Sequence, residues 1–178
     1  MIPAGYMAKH VSPKPDHLKA AQVQDIYSVS ACTSDNFADY ISLWKHNGYW
    51  FFDSPEVILA TARENSIDVR PTTLFYFEVY EREFDGTGWN AYAPAFAVNV
   101  TPPAKKKLEG FDVVTFFARS SPECSPLSCN SMAEEVPTNA HCLLTSFEEA
   151  ERLLNSGVFN HSEPGPYRIF SIYSVDWT

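Results

Sequence analysis

The residues of this chain that could support covalent or metal chemistry are concentrated around two of its cysteines. Cys124 and Cys129 lie five positions apart, on either side of a Ser125-Pro126 pair, and His141 follows further along. If Ser125 is a helix N-cap, Cys124 directly precedes the cap and Cys129 occupies the fourth helical position. These two positions meet in a hydrophobic staple. We therefore expect Cys124 and Cys129 to be neighbours in space.

The two thiols can be interpreted in several ways. Buried cysteines commonly act as small hydrophobic residues, and a packing role is favoured because Cys32 and Phe37 flank Thr33 in a similar arrangement. A redox-sensitive thiol pair is an alternative. Metal ligation is disfavoured because the spacing matches no standard zinc pattern. The sequence thus predicts no metal site, and without a glycine-rich phosphate loop it predicts no cofactor.

An enzymatic interpretation is also open. Cys129 near a helix N-terminus would be the nucleophile, His141 the base and Asn139 the residue that orients the base. The spacing does not demand this set, and the effect of the helix dipole fades beyond the first turn. A small cysteine-dependent enzyme or a thiol redox sensor using Cys124, Cys129 and His141 is therefore the second hypothesis.

Candidate binding residues lie near the C-terminus. Glu163 precedes Pro164-Gly165-Pro166, and Tyr167 follows. Flanking prolines would fix the Glu163 carboxylate with little entropy left to lose, although a turn that merely aims the final strand explains the motif as well. The candidate binding residues share a position beside a predicted loop or helix start, and they are Glu163, Tyr167, Cys124 and Cys32.

Composition limits the class of protein. The 178 residues are 45% hydrophobic, enough for a sizeable core, and the formal net charge of −9 disfavours a nucleic-acid partner. The sequence shows neither a signal-peptide pattern nor an apolar run long enough for a membrane span. Four cysteines are too few for a disulfide scaffold. We expect a cytoplasmic protein with free thiols and no membrane partner.

Local patterns predict an α/β fold, with α+β as the alternative. Residues 1–24 read as an N-terminal tail, and residues 25–178 read as a single domain. Strands are predicted at 25–30, 49–52, 74–80, 111–117, 141–144 and 167–175, with a hairpin that returns through 89–100. Helices are predicted from Thr33 or Ser34 to Asn47, from Ser54-Pro55 to Glu64, from Ser125-Pro126 to before Pro137, and from the Ser146 capping box to Gly157.

The element order suggests a tandem duplication. Segments 25–82 and 111–176 each read β-α-β-α-β, joined by a hairpin and linker at 83–110. Shifts of 92, 93 and 87 positions produce the supporting residue matches, which are Cys32 with Cys124, Asn47 with Asn139, Ser54 with Ser146, Glu56 with Glu148, Phe77 with Phe170, Tyr80 with Tyr173, and Asp25-Ile26 with Asp112-Val113.

The leading functional hypothesis is a non-enzymatic module that binds an unknown small molecule or protein. A cleft between the two similar halves would be the ligand site. The hairpin would expose a sheet edge able to pair with a twofold mate, so the sequence predicts a homodimer.

Overall fold

The computed structural model describes residues 1–38, 45–94, 96–117 and 121–177. It is a mixed α+β fold in which every strand pair among these residues is antiparallel. The α+β alternative is therefore the correct class. The strands in chain order are β1 (Ile2–Lys9), β2 (Ser12–Pro13), β3 (Asp25–Ile26), β4 (Thr73–Val79), β5 (Arg82–Phe84), β6 (Trp89–Ala91), β7 (Lys107–Thr115) and β8 (Tyr167–Val175).

The main sheet is centred on β4 and β8, which pair along most of their length. β1 pairs with the other side of β4, and β7 pairs with β8. β5 joins β8 through Phe84 and Tyr167 and pairs with β6 around the Asp85–Gly88 turn. β2 and β3 form a separate two-stranded ladder.

The first strand differs from the prediction of a tail over residues 1–24. Residues 4–9 of β1 are all buried, because the strand is covered on both faces and therefore lacks the apolar-polar alternation that marks a half-exposed strand. The predicted strand at 25–30 shortens to β3, which pairs with β2 rather than with the main sheet. Asp25-Ile26 is thus not the counterpart of Asp112-Val113 in β7.

The helices begin where their caps predict. α1 (Pro55–Glu64) follows Ser54, and α2 (Pro126–Cys129) follows Ser125 and leads into a 3₁₀ turn. α3 (Phe147–Ser156) starts at Ser146, whose hydroxyl accepts the N–H of Glu149, and ends at Gly157 in the left-handed conformation. The helix predicted from Thr33 or Ser34 to Asn47 is not helical at 33–38 or 45–47, and residues 39–44 lie outside the described residues.

β1 and β7 each carry a bulge that ends at a glycine. The register shifts between Pro3 and Gly5 in β1 and between Leu108 and Gly110 in β7. Both glycines have a positive φ, +143° at Gly5 and +152° at Gly110, a conformation that other residues rarely adopt. At Gly110 an added Cβ would lie only 2.7 Å from the Leu143 Cβ. Each bulge therefore requires glycine.

An asparagine holds each bulge in the same way. The Asn47 amide donates to the Ala4 carbonyl at 2.9 Å, and the Asn139 amide donates to the Glu109 carbonyl at 2.7 Å. Each side-chain oxygen accepts two backbone N–H groups of its own turn, so both turns are fixed from within. The strands predicted at 49–52 and 141–144 are consequently turns, each ending in a single bridge to β1 or β7.

The register of the last strands differs from the sequence match at a shift of 93. Gly5 lies opposite Phe77, and Gly110 lies opposite Ile172. Phe77 therefore corresponds in position to Ile172 rather than to Phe170. Phe77 and Ile172 are also direct partners in the ladder between β4 and β8.

Two apolar clusters stabilise the sheet. One gathers aromatic residues of β1, β4 and β8 with α1, and the other lies beneath α3 and includes Leu144, Leu153 and Ile169. Among the described residues, the helices are all too short or too polar to cross a bilayer.

Replacing Gly110 with alanine should destabilise the fold. The new Cβ would collide with Leu143 and the Leu144 carbonyl in an unfavourable backbone conformation, at a cost on the order of 2 to 4 kcal/mol in the free energy of unfolding. Gly88→Ala is the matched control, since a Cβ there meets nothing within 4 Å. Chemical denaturation of both variants measures the difference, and equal stability would contradict a requirement for glycine at the bulge.

Candidate thiol site

Three cysteine sulfurs converge at one place in the fold. The Sγ atoms of Cys32, Cys124 and Cys129 all lie within 4.8 Å of one another. Cys124 is buried, Cys129 is half-buried and Cys32 is exposed. The sequence predicts the proximity of Cys124 and Cys129, and the structure adds Cys32 from a remote segment. We call these three residues the thiol centre.

The end of β7 and the start of α2 position two of the sulfurs. The Cys124 carbonyl accepts the N–H of Thr115 at 2.9 Å, so Cys124 lies alongside the last residue of β7. α2 then starts at Pro126, and the Cys129 N–H bonds the Ser125 carbonyl at 2.8 Å. The strand end and the first helical turn thus hold the two thiols on one side.

The third sulfur is carried by a loop that its own serines fold. The Ser28 hydroxyl accepts the N–H of Ser30, and the Ser30 hydroxyl accepts the N–H of Cys32. The Thr33 hydroxyl then meets the Ser128 hydroxyl of α2 at 2.7 Å. Successive side-chain turns therefore bring Cys32 against α2.

A buried carboxylate joins this loop to α2. Asp112 of β7 is fully buried, and its oxygens accept the Ser28 hydroxyl, the Val29 N–H and the Ser125 hydroxyl at 3.2, 3.0 and 2.5 Å. Because the Ser125 hydroxyl is used in this way, it makes no cap hydrogen bond to α2. Burial raises the pKa of Asp112 to about 6, against the opposing effect of these hydrogen bonds. Asp112 fixes both parts of the thiol centre at once.

A buried ammonium holds the same loop from the other side. The Nζ atom of Lys9 in β1 donates to the Val29 and Ser30 carbonyls at 3.3 and 2.9 Å and to the Asn36 side chain at 2.9 Å. Burial lowers the pKa of Lys9 to about 7, while the charge of Asp112 opposes that shift. The loop that carries Cys32 is therefore fixed by opposite charges from β1 and β7.

The three thiols shift one another's pKa values in different directions. A hydrogen bond from the Cys124 thiol, assisted by one from Cys32, outweighs burial and lowers the pKa of Cys129 to about 6. The same hydrogen bond raises the pKa of Cys124 far above its usual range. Burial, followed by the hydrogen bond to Cys129, raises the pKa of Cys32 to about 11. These shifts favour Cys129 as the thiolate among the three cysteines.

Glu163 and Tyr167 border the centre. The Asn130 side-chain oxygen lies 3.7 Å from the Cys124 sulfur and accepts the Glu163 N–H at 3.4 Å. The charge of Glu163 contributes to the raised pKa of Cys32 and Cys124. The Tyr167 hydroxyl donates to the Glu163 carbonyl at 2.6 Å. The four binding candidates from the sequence are therefore brought to one region, with Tyr167 anchoring the loop of Glu163.

Two residues of the predicted catalytic set of Cys129, His141 and Asn139 have other partners in the structure. The Nδ1 atom of His141 pairs with Asp25 at 2.6 Å, and its ring stacks on Tyr27 at 4.0 Å. The Asn139 side chain bonds backbone groups of its turn and of the β7 bulge, including the His141 N–H, so it does not orient the ring. The turn that Asn139 builds directs the His141 ring toward Asp25 of β3.

Sequence reasoning missed the residues that build the centre. Asp112 lies between apolar residues of a buried strand, and Lys9 follows a buried Ala8. A charged residue inside an apolar strand is a signal that could have identified both, since such residues are buried only with partners. The Nε2 atom of His17 also lies near the centre, 3.2 Å from the carbonyl oxygen of Ser128, the residue before Cys129.

The thiol centre could also hold a metal ion. Among the described His, Cys, Asp and Glu side chains, it is the group in which at least three ligand atoms lie close enough together for that. The sequence predicts no metal site because the local spacing of its cysteines matches no standard zinc pattern. The third sulfur comes from a loop remote in sequence, which such spacing cannot reveal.

No protein-family model, curated protein or solved structure matches this chain.

The pH dependence of alkylation should distinguish the cysteines. Labelling of Cys129 by iodoacetamide should rise with pH about a midpoint near 6, because the thiolate is the reactive form. Cys142 is buried, and burial raises its pKa to about 12, so it should remain unlabelled near neutrality. Peptide mass mapping measures both sites. A Cys129 midpoint near the ordinary cysteine value of about 8.5 would contradict the described hydrogen bonding.

Proposed function

We propose that this protein is a non-enzymatic module that senses oxidants through the thiol centre. The observation that carries the proposal is the convergence of three reduced sulfurs within 4.8 Å from two separate parts of the chain. Redox-sensing cysteines are typically accessible thiolates with a second thiol nearby to resolve the oxidised form. Cys129 and Cys124 have these two roles.

The proposed chemistry requires a hydroperoxide as the oxidant. The Cys129 thiolate attacks the distal peroxide oxygen, the O–O bond breaks, and the leaving oxygen takes up a proton to form an alcohol or water. Cys129 is then a sulfenic acid. The Cys124 sulfur attacks it, losing its proton and expelling the hydroxyl group as water, and a Cys124–Cys129 disulfide forms. Two electrons pass from the thiols to the peroxide.

Oxidation would be transmitted to the surface through Cys32. The reduced Cys129 thiolate accepts a hydrogen bond from Cys32, and a disulfide removes the charge that makes this bond strong. Disulfide formation also changes the state of the Cys124 sulfur, which lies 3.7 Å from the side-chain oxygen of Asn130, a residue that contacts the Glu163 loop. The exposed Cys32 loop and the Glu163 loop are therefore the surfaces through which an unknown partner would detect oxidation.

A sensing role is favoured over an enzymatic one by the surroundings of Cys129. The histidine assigned to it from the sequence is engaged by Asp25 and Tyr27. The donors around its sulfur are thiols and hydroxyls, which stabilise a resting thiolate without supplying a general base for turnover. A sensor that depends on reduced thiols also suits a reducing compartment, so we propose that the protein is located in the cytoplasm.

The two halves are proposed to descend from a duplication. Supporting this are the paired bulges at Gly5 and Gly110 and the paired asparagines Asn47 and Asn139. The first repeat would begin at β1 rather than at residue 25. The thiol centre then joins the connection that follows β1 to the one that follows β7, corresponding parts of the two repeats, as expected for a site between them.

Equimolar hydrogen peroxide should convert the reduced protein to a form with a Cys124–Cys129 disulfide. Mass mapping should show a loss of two hydrogens across these residues. Cys129→Ser should abolish the reaction, while Cys142→Ser, the matched control outside the centre, should react like the unmodified protein. Cys124→Ser should leave a sulfenic acid at Cys129 that dimedone traps. Equal peroxide consumption by the Cys129→Ser variant would refute the sensor.

The proposed assembly is a homodimer that pairs through β6, which lies at the end of the strand order and carries the exposed Ala91. Light scattering at micromolar concentration should give twice the mass of the 20.0 kDa chain. Ala91→Lys should shift the protein to the monomer, because an edge lysine opposes strand pairing, whereas Ala104→Lys, on an exposed linker, should not. A monomeric mass for the unmodified protein would exclude the edge as a dimer interface.

A further inference from the structure

The sulfur positions of the thiol centre suit an ion as well as an oxidant. Thiolates bind soft d¹⁰ metal ions at about 2.3 Å. An ion at the centre of a triangle of three such sulfurs would hold them about 4.0 Å apart, by the same bond length. The three Sγ atoms already lie within 4.8 Å of one another, so the triangle must contract by less than an ångström.

The surrounding structure keeps these sulfurs together without an ion. Cys124 and Cys129 are fixed by the end of β7 and the first turn of α2, and Cys32 is held by a loop that Asp112 and Lys9 both bond. Little chain entropy remains to be lost when a ligand binds, which favours affinity. The site is thus organised before an ion arrives.

We propose that Cys32, Cys124 and Cys129 bind a soft d¹⁰ cation, Cu(I) in preference to Zn(II), through three thiolates. Among the described side chains, the metal-ligand atoms that cluster here are the three sulfurs alone. Cu(I) is a soft ion well served by thiolates, whereas Zn(II) in proteins is almost always four-coordinate. This inference rests on the proposed function only in that both require reduced sulfurs at the same centre.

Charge near the centre supports a cation. The formal net charge of the chain is −9, and the Glu163 carboxylate lies close enough to act on two of the thiols. Binding would displace the protons of Cys32 and Cys124, since metal ligands must be thiolates. Partial exposure of Cys32 provides the entry path for the ion.

The test is competition for Cu(I) by the full, reduced chain against a chromophoric chelator under anaerobic conditions. The unmodified protein and the Cys142→Ser control should each bind about one equivalent. Cys32→Ser and Cys129→Ser should each weaken binding by roughly 100-fold, because two thiolates no longer enclose the ion. A parallel titration with Zn(II) should give weaker binding. Equal Cu(I) affinity in Cys32→Ser and the unmodified protein, or tighter binding of Zn(II), would overturn the proposal.

X-ray absorption of the Cu(I)-loaded unmodified protein gives a second measurement that does not depend on the folding of any variant. Three sulfurs at about 2.3 Å are expected, and two sulfurs or any nitrogen donor would refute the three-thiolate site. The peroxide experiment is done on metal-free protein. Disulfide formation without Cu(I) binding would refute the proposed metal site alone. Cu(I) binding without a peroxide reaction would refute the proposed oxidant sensor alone.

Discussion

The buried carboxylate of Asp112 is the constraint on which the thiol centre depends. It accepts hydrogen bonds from a loop near the N-terminus and from the residue that starts α2, so it joins two segments that are far apart in sequence. A buried charge left without partners is strongly unfavourable, whereas a fully bonded one fixes a single arrangement. The two segments are therefore held in one relative position, and Cys32 meets Cys129.

Lys9 bonds the same loop residue as Asp112, which is Val29. The N–H of Val29 bonds Asp112, and its carbonyl bonds Lys9, so one residue is bound from both sides by opposite charges. β1 and β7, which carry these charges, are separated in the sheet by β4 and β8. The loop consequently ties the two outer strands together across the centre of the sheet. Its position, and that of the sulfur it carries, follows from the sheet order.

Local signals in the sequence predicted local structure well. The capping box at Ser146 and the left-handed Gly157 set the ends of α3, and the Ser125-Pro126 start placed Cys124 beside Cys129. Features that depend on the sheet order could not be read in this way. The sequence of β1 resembles that of a tail, because burial on both faces removes the alternation of apolar and polar residues. Cys32 reaches α2 only because side chains of two distant strands hold its loop there.

The position of His141 has a related physical origin. The sequence places it near Cys129, and a cysteine with a nearby histidine is typical of a nucleophile and its base. Its direction is determined instead by Asn139, which bonds the bulge of β7 and the backbone of its own turn. The equivalent bonds of Asn47 to the β1 bulge show that this asparagine has a structural role.

The surroundings of the three sulfurs support the proposed chemistry over a packing role. Cysteines that only fill space are expected among apolar neighbours, because burying hydroxyl and amide groups is costly unless they are hydrogen-bonded. Here the neighbours are Ser128, Thr33 and Asn130, which bond one another's segments or the thiols themselves. An apolar staple would need none of these groups. The Ser128 hydroxyl and the thiols of Cys124 and Cys32 favour a negative charge on the Cys129 sulfur. A thiolate beside two further thiols is the common requirement of the proposed peroxide reaction and of the proposed soft-metal binding.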